Sequence, residues 1–312
     1  MYTSIVVPLD GTAFGKQALP LALALARRSN ATVHLVHVQE PTAQGSGAPA
    51  VDTRLDKDLD REEREKLAAL VARLRHDTAL SIENVTVDGA AAAALEQYIA
   101  THRCDLVVMM SHGRGGLARA WMGSVADELV RHTYVPILLV HPGTEWPSEL
   151  HEPLFRHVLV PLDGSAMSDD VLDQVVLLAT PGKTTFTLVT VVVPPTALAY
   201  PDLSSRIFVD APFLESQRVD AEAHLNASAT ELRESGARVE TLVLTHPGPA
   251  QAILDAADAH HVDSIALSTH GRGTVKRFVL GSVADEIIRH AKVPVLVHRP
   301  DLVGGLHPAA RL

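Results

Sequence analysis

Cysteine is nearly absent from this chain: Cys104 is the one such residue among 312. No intrachain disulfide can form, and Cys104 is expected to sit as a small apolar side chain just before a buried strand. Long apolar runs are missing too. No stretch of about 18 apolar residues occurs, so no membrane span is expected. The chain reaches Pro8 and Asp10 after one short strand, without the layout of a secretory signal, and a cytoplasmic protein is expected. Positive charge is in deficit, with 27 Lys and Arg against 37 Asp and Glu and a net charge of −10. Nucleic-acid binding draws its affinity from phosphate neutralisation, so no nucleic-acid partner is expected.

Catalytic signatures are also lacking. There is no G-x-x-x-x-G-K-[ST] loop, no G-x-G-x-x-G opening a helix after the first strand, and no G-x-S-x-G elbow. No nucleophile, base and orienting group stand out as a set. Histidine is plentiful, at 17 residues, but its spacing does not suit a metal. His260 and His261 are adjacent, His34 and His37 face opposite sides of a strand, and neither C-x-x-C nor H-E-x-x-H occurs.

What the chain does have is a segment written twice. Residues 112–127 read HGRGGLARAWMGSVAD and residues 270–285 read HGRGTVKRFVLGSVAD, so that 158 positions separate Gly113 from Gly271. An earlier pair repeats at 153: Val6–Gly11 (VVPLDG) matches Leu159–Gly164 (LVPLDG). The difference of 5 marks an insertion between Val191 and Gly271, expected in a loop. A period this long signals two duplicated domains of about 150 residues each. The expected boundaries are 1–142, a linker over 143–154 carrying Gly143 and Pro147, 155–299, and a tail over 300–312.

Within each half, short β-branched strands alternate with helical patterns, which predicts a doubly wound α/β domain with a parallel sheet. Pro20 falls inside the first helical pattern, so a kink or a late start is expected there. In such sheets ligands bind beyond the carboxyl ends of the strands, where the winding reverses. Asp10 and Asp163 follow the first strand of each half, and Gly113 and Gly271 follow the fourth. An order of 3-2-1-4-5 would bring both ends to one crevice.

The glycine loop suggests the ligand. Gly113 and Gly123, then Gly271 and Gly281, let backbone N–H groups approach an anion, and Ser124 and Ser282 open helices whose N-termini favour phosphate. The same S-V-A-D sequence fits a capping box on a helix that holds no ligand. Arg114, Arg119, Arg272 and Arg277 are candidates for phosphate pairing or ordinary solvated arginines. Asp10 and Asp163 could touch a nucleoside or hold Mg2+ among phosphates, or simply form Asp-Gly turns. His112 and His270 recur beside the loop glycine and could shape the site or only pack.

Taken together, these motifs resemble a tandem member of the universal stress protein family. The resemblance rests on the Pro8-x-Asp10 and Pro161-x-Asp163 strand ends, the HGR loops, G-S-V-A-D, and the final V-P-(V/I)-L-(L/V) strands. It implies the adenine-nucleotide alpha-hydrolase-like fold, two five-stranded parallel sheets of order 3-2-1-4-5. It also implies ATP, or another adenine nucleotide, bound with Mg2+. The family's G-x2-G-x9-G-(S/T) pattern falls on Met110, Gly113, Gly123 and Ser124, with Val125 following, and on Ser268, Gly271, Gly281 and Ser282, with Arg272 and Val283 beside them. Pro8, Asp10, Val38, Pro161, Asp163 and Val191 fall on the nucleoside side. Met110 and Ser268 depart from the pattern's first glycine. If this position gates the ribose, the second half binds more tightly; if Met110 turns into the core, the halves bind equally. The implied role is a stress-response regulator, with any ATP hydrolysis slow. A nucleotide-independent interaction protein and a true hydrolase or phosphotransferase are the alternatives. The resemblance also implies that the two last strands pair within the chain as an internal pseudo-dimer, leaving open a further homodimer.

Overall fold

A computed structural model of the chain describes residues 1–10, 15–39, 65, 67–76, 78–111, 122–144, 150–194, 211–234, 236–269 and 280–300. The first half runs β1 (Ser4–Leu9), a 3-10 turn (Gly15–Ala18), α1 (Leu19–Ser29), β2 (Thr32–Gln39), α2 (67–76), β3 (Ile82–Asp88), α3 (Ala91–His102), β4 (Leu106–Met110), α4 (Ser124–His132) and β5 (Ile137–Val140). The second half runs β6 (His157–Pro161), α5 (Ala166–Asp169), α6 (Leu172–Leu178), β7 (Thr185–Val192), α7 (Ala211–Glu234), β8 (Arg238–Thr245), α8 (Pro249–Ala259), β9 (Ser264–Ser268), α9 (Ser282–His290) and β10 (Val295–His298).

The ten strands form one sheet in the order β3-β2-β1-β4-β5-β10-β9-β6-β7-β8. Each half therefore has the order 3-2-1-4-5. The central strands β4 (LVVMM) and β5 (ILLV) are buried at every position, as strands covered by helices on both faces must be. The edge strand β3 (IENVTVD) alternates buried or half-buried with exposed residues over most of its length. Pro20 takes the first turn of α1, where no backbone donor is needed, and a 3-10 turn precedes it; the outcome is a late start, not a kink. The strand registers place Val33 and Ile82 opposite each other in one half, and Phe186 and Val239 in the other. Four of the five extra residues of the second half accordingly fall between β7 and β8.

The two halves join edge to edge. β5 and β10 pair antiparallel, with Ile137 opposite Val297, Leu138 opposite Leu296 and Leu139 opposite Val295. Leu138 and Leu296 are repeat-equivalent positions, so a local two-fold passes through that pair. The pairing covers two edges that would otherwise present unpaired backbone groups. Both layers of core run through it. One face carries Leu21, Leu138, Phe155 and Leu296, and the other carries Leu129, Ile137, Ile287 and Val297. One strut breaks the symmetry. Arg28, at the end of α1, donates to the carbonyls of Leu177 and Leu178 (2.7 Å for Leu178) at the end of α6 and pairs with Glu152 at 3.8 Å. A guanidinium there satisfies the last carbonyls of a helix and matches the negative end of its dipole.

Candidate functional site

Proline opens the sheet where the site is expected. Ser4 O accepts from Asp105 N, so alternate residues of β1 (Ser4, Val6, Pro8) direct their backbone groups toward β4. In the second half, Leu162 N donates to Val189 O of β7, so the preceding residue, Pro161, faces β9. Neither proline has an N–H to give. The β1–β4 pairing ends at Val6 and Val107, whereas β1–β2 continues to Leu9 and His37. Likewise β6–β9 ends at Leu159 and Ile265, while β6–β7 reaches Pro161 and Val189. The sheet splits between its first and fourth strands at their carboxyl ends, in both halves, which is the topological switch point.

A helix start is fastened to each split. Gly123 N donates to Ser111 O at 2.8 Å, just past β4, and Gly281 N donates to Thr269 O at 3.0 Å, just past β9. These bonds bring the N-termini of α4 and α9 to the strand ends. The capping box expected from S-V-A-D does not form. Gly123 and Gly281 are the N-cap residues, with extended backbone (φ −61° for each), and among the described residues no side chain caps either helix. Ser124 and Ser282 come one position later and are exposed. The box fails because the glycine, not the serine, holds the N-cap, which puts Ser124 and Ser282 at the first helical position and the aspartates one place beyond the reach of a box. Asp127 and Asp285 instead pair with the arginines one turn on, Arg131 (2.8 and 2.9 Å) and Arg289 (2.9 Å). The pairing raises both arginine pKa values, first through the hydrogen bond to the carboxylate. It also offsets a carboxylate charge that would otherwise repel an anion at the helix end.

The remaining candidates divide by half. Asp10 lies close against the start of the 3-10 turn, so that a Cβ on Gly15 would come within 2.6 Å of its Oδ1. Asp163 Oδ1 accepts from Ser165 N (3.0 Å) and Ser165 Oγ (2.6 Å), so this carboxylate builds its own turn. Val38 and Val191 are half-buried near the carboxyl ends of β2 and β7, and Val125 and Val283 are half-buried in the first turns of α4 and α9. Met110 is 5% exposed and packs in the core with Val108, Leu138 and Val140. Its counterpart Ser268 is half-buried and donates to Ser168 O at 3.3 Å. Gly11, His112, Gly113, Arg114, Arg119, His270, Gly271, Arg272 and Arg277 lie outside the described residues.

The side chain of Met110 is thus spent on packing. Met110→Gly is expected to leave nucleotide affinity in the first half unchanged and to cost about 2–5 kcal/mol of stability, the usual range for emptying a buried site of this size. Parallel titration and thermal unfolding check this. A gain in affinity would return Met110 to the ribose.

Among the described residues no group of three or more His, Cys, Asp and Glu gathers to hold a metal. The histidines do other work. His34 is buried, with Nε2 3.0 Å from Ser4 Oγ and Nδ1 2.9 Å from the Tyr98 hydroxyl and 3.3 Å from Glu83 Oε2. In the second half the roles exchange strands, as His157 Nε2 meets Thr187 Oγ1 at 2.7 Å. Burial pushes the His34 imidazole below its ordinary value, and the Glu83 charge opposes this only in part. A histidine held neutral when folded favours the native state above its unfolded pKa of about 6.5, and that contribution is lost as pH falls below it. The chain should therefore unfold at lower denaturant at pH 5.5 than at pH 7.5, and His34→Gln should shrink the difference. An unchanged pH dependence in His34→Gln would refute this assignment.

Sequence reasoning missed the polar residues that hold the second split: Ser165, Ser168, Asp169, Asp170, His224 and His298. Ser165 and Ser168, just past Asp163, carried a local signal, because Ser-x-x-Ser after a strand end is a capping pattern. The two histidines carried none.

The model of the universal stress protein family matches residues 1–141 and again 154–299. A universal stress protein of Methanocaldococcus jannaschii is 27% identical over 141 residues, covering 45% of this chain and 82% of the relative. One from Mycobacterium bovis is 29% identical over 203 residues, or 64% of this chain; the matched stretch spans 63% of that relative's length. Among solved structures, a universal stress protein of Archaeoglobus fulgidus superposes with a TM-score of 0.66 at 18% identity, covering 95% of this chain and 96% of that one. A second, from Pseudomonas aeruginosa, gives 0.61 at 15% identity, covering 96% and 94%. At these identities the structural likeness speaks for the fold.

Proposed function

Since the chain belongs to the universal stress protein family, in a tandem two-domain arrangement, we propose that each half binds ATP with Mg2+ at the split between its first and fourth strands, and that the chain acts as a stress-response regulator. One observation carries this reading: in both halves a proline-opened strand end lies against the uncapped N-terminus of a nine-residue helix. Such a terminus presents backbone donors and a positive dipole end to an anion. The adenine would reach toward Val38 or Val191, and the phosphates toward Gly123-Ser124 or Gly281-Ser282, with Gly113, Gly271 and Arg272 in the connecting loops. Mg2+ keeps most of its water and needs only one or two protein carboxylates beside phosphate oxygens. The single aspartates Asp10 and Asp163 suit a metal that arrives with the nucleotide. In this reading the β5–β10 joint is an internal pseudo-dimer between domains 1–142 and 155–299.

A second reading, a nucleotide-independent interaction protein, draws on the engagement of Asp163 in its own turn. The test is whether purified chain carries adenine nucleotide, seen in its absorbance ratio and in chromatography of ligand released by denaturation. Released adenine nucleotide supports the first reading. A nucleotide-free protein that also fails to take up ATP supports the second.

A further inference from the structure

The second split has a wall built on its first-strand side. After β6 the chain turns through Asp163, Gly164 and Ser165 into α5, a helix of only four residues, and Asp170 follows. So short a helix cannot stand by its own hydrogen bonds and needs outside anchors. Within the segment, Ser165 Oγ accepts from Ser168 N at 3.2 Å, and Ser168 Oγ donates to Ser165 O at 2.8 Å. Three anchors come from far away. Ser268 Oγ, at the end of β9, donates to Ser168 O at 3.3 Å. His224, on α7, places Nε2 3.1 Å from Asp169 Oδ1, and His298, the last residue of β10, places Nε2 2.8 Å from Asp170 Oδ2. Two adjacent carboxylates are thereby held from two sides by two imidazoles.

The His298 side chain is 4% exposed. Its Nδ1 is buried without a hydrogen-bond partner, so the bond to Asp170 is the ring's one hydrogen bond among the described residues. That assigns Nε2 as the donor. The first half does not repeat these residue types. Its equivalents of Asp169, Asp170, Ser268 and His298 are Lys16, Gln17, Met110 and Val140, which offer neither a carboxylate nor an imidazole.

We propose that His298 and His224 are positioning residues of the second split, clamping α5 so that the turn of Asp163 forms one fixed wall of the ligand site. The role in binding rests on the nucleotide reading above; the clamp itself does not. Holding a wall in place before the ligand arrives removes an ordering cost from binding, so losing the clamp weakens affinity without removing any direct contact. His298→Gln keeps an N–H donor on a side chain of similar reach and should keep the function, whereas His298→Ala should not.

The experiment uses the full chain with the first half blocked by Gly123→Asp, so that ATP reports on the second half. Amide exchange over residues 163–171 and ATP affinity are measured in the His298→Ala, His298→Gln and His224→Ala variants. In the two alanine variants, exchange of the segment is expected to rise about tenfold and affinity to fall about tenfold, by the loss of order in the wall. His298→Gln should return both toward the parent. Unchanged exchange in both alanine variants overturns the clamp. Faster exchange with unchanged affinity overturns its role in the site. A parent that never binds ATP overturns the nucleotide reading, and the exchange measurement then still decides whether the clamp exists. His224→Ala removes a half-exposed side chain, so it tests the clamp even if His298→Ala fails to fold.

Discussion

Gly281→Asp is expected to abolish the proposed nucleotide binding in the second half and to leave the protein folded and at least as stable. Gly281 is the N-cap of α9, and a glycine there has no side chain to occupy the N–H groups of the first turn. Its backbone is extended, at φ −61° and ψ 141°, a conformation open to any residue. Among the described residues a Cβ there meets the Thr269 carbonyl, at 3.2 Å, which requires a shift of a few tenths of an ångström. An aspartate would cap the helix with its own carboxylate, worth up to about 1 kcal/mol, in the place a phosphate needs. Affinity at that half should fall more than about 100-fold, equivalent to about 2.7 kcal/mol or more. Gly281→Val should act in the same direction, by laying methyl groups over the same donors. Gly123→Asp should do the same to the first half, and the double variant should bind nothing. Calorimetric titration with ATP and Mg2+, beside thermal unfolding, reads both effects. Unchanged affinity in a folded Gly281→Asp protein would remove α9 from the site.

The joint between the halves carries the second large effect. Leu138 and Leu296 are fully buried and face each other in the antiparallel register. Truncating either to alanine should cost about 2–5 kcal/mol, or roughly 4–20 °C in Tm at 2–4 °C per kcal/mol. Because the two side chains share one space, the double variant should lose less than the sum of the single losses, a coupling of about 0.5 kcal/mol or more. Strict additivity, or single losses below about 0.5 kcal/mol, would mean that the two strands do not pair in solution.

Much of this architecture could be read from the sequence because it is written twice. The offset of 158 positions links Leu138 to Leu296, and it also links Arg103 and His261, both of which turn the chain at φ 50° after equivalent helices. The switch point was legible from Asp10 and Asp163 after the first strands and Gly113 and Gly271 after the fourth; the missing donors of Pro8 and Pro161, which end the pairing on one side, carried the same signal and were not used. The helix starts were misread. S-V-A-D has the spacing of a capping box, but the preceding glycine takes the N-cap, so the serine stands one position too far into the helix to cap it. The direction of Met110 was available in principle: Leu106, Val108 and Met110 alternate onto one face of a wholly buried strand. The clamp was not available, because Asp170 and His298 stand 128 residues apart and the first half contains no copy of it to draw attention.

The most direct test of two nucleotide sites in one chain is the stoichiometry of ATP and Mg2+ binding to the intact, nucleotide-stripped protein by calorimetry. Two equivalents per chain are predicted, falling to one in Gly123→Asp or Gly281→Asp. No binding to the folded wild-type chain, or a stoichiometry that neither substitution alters, would contradict the account.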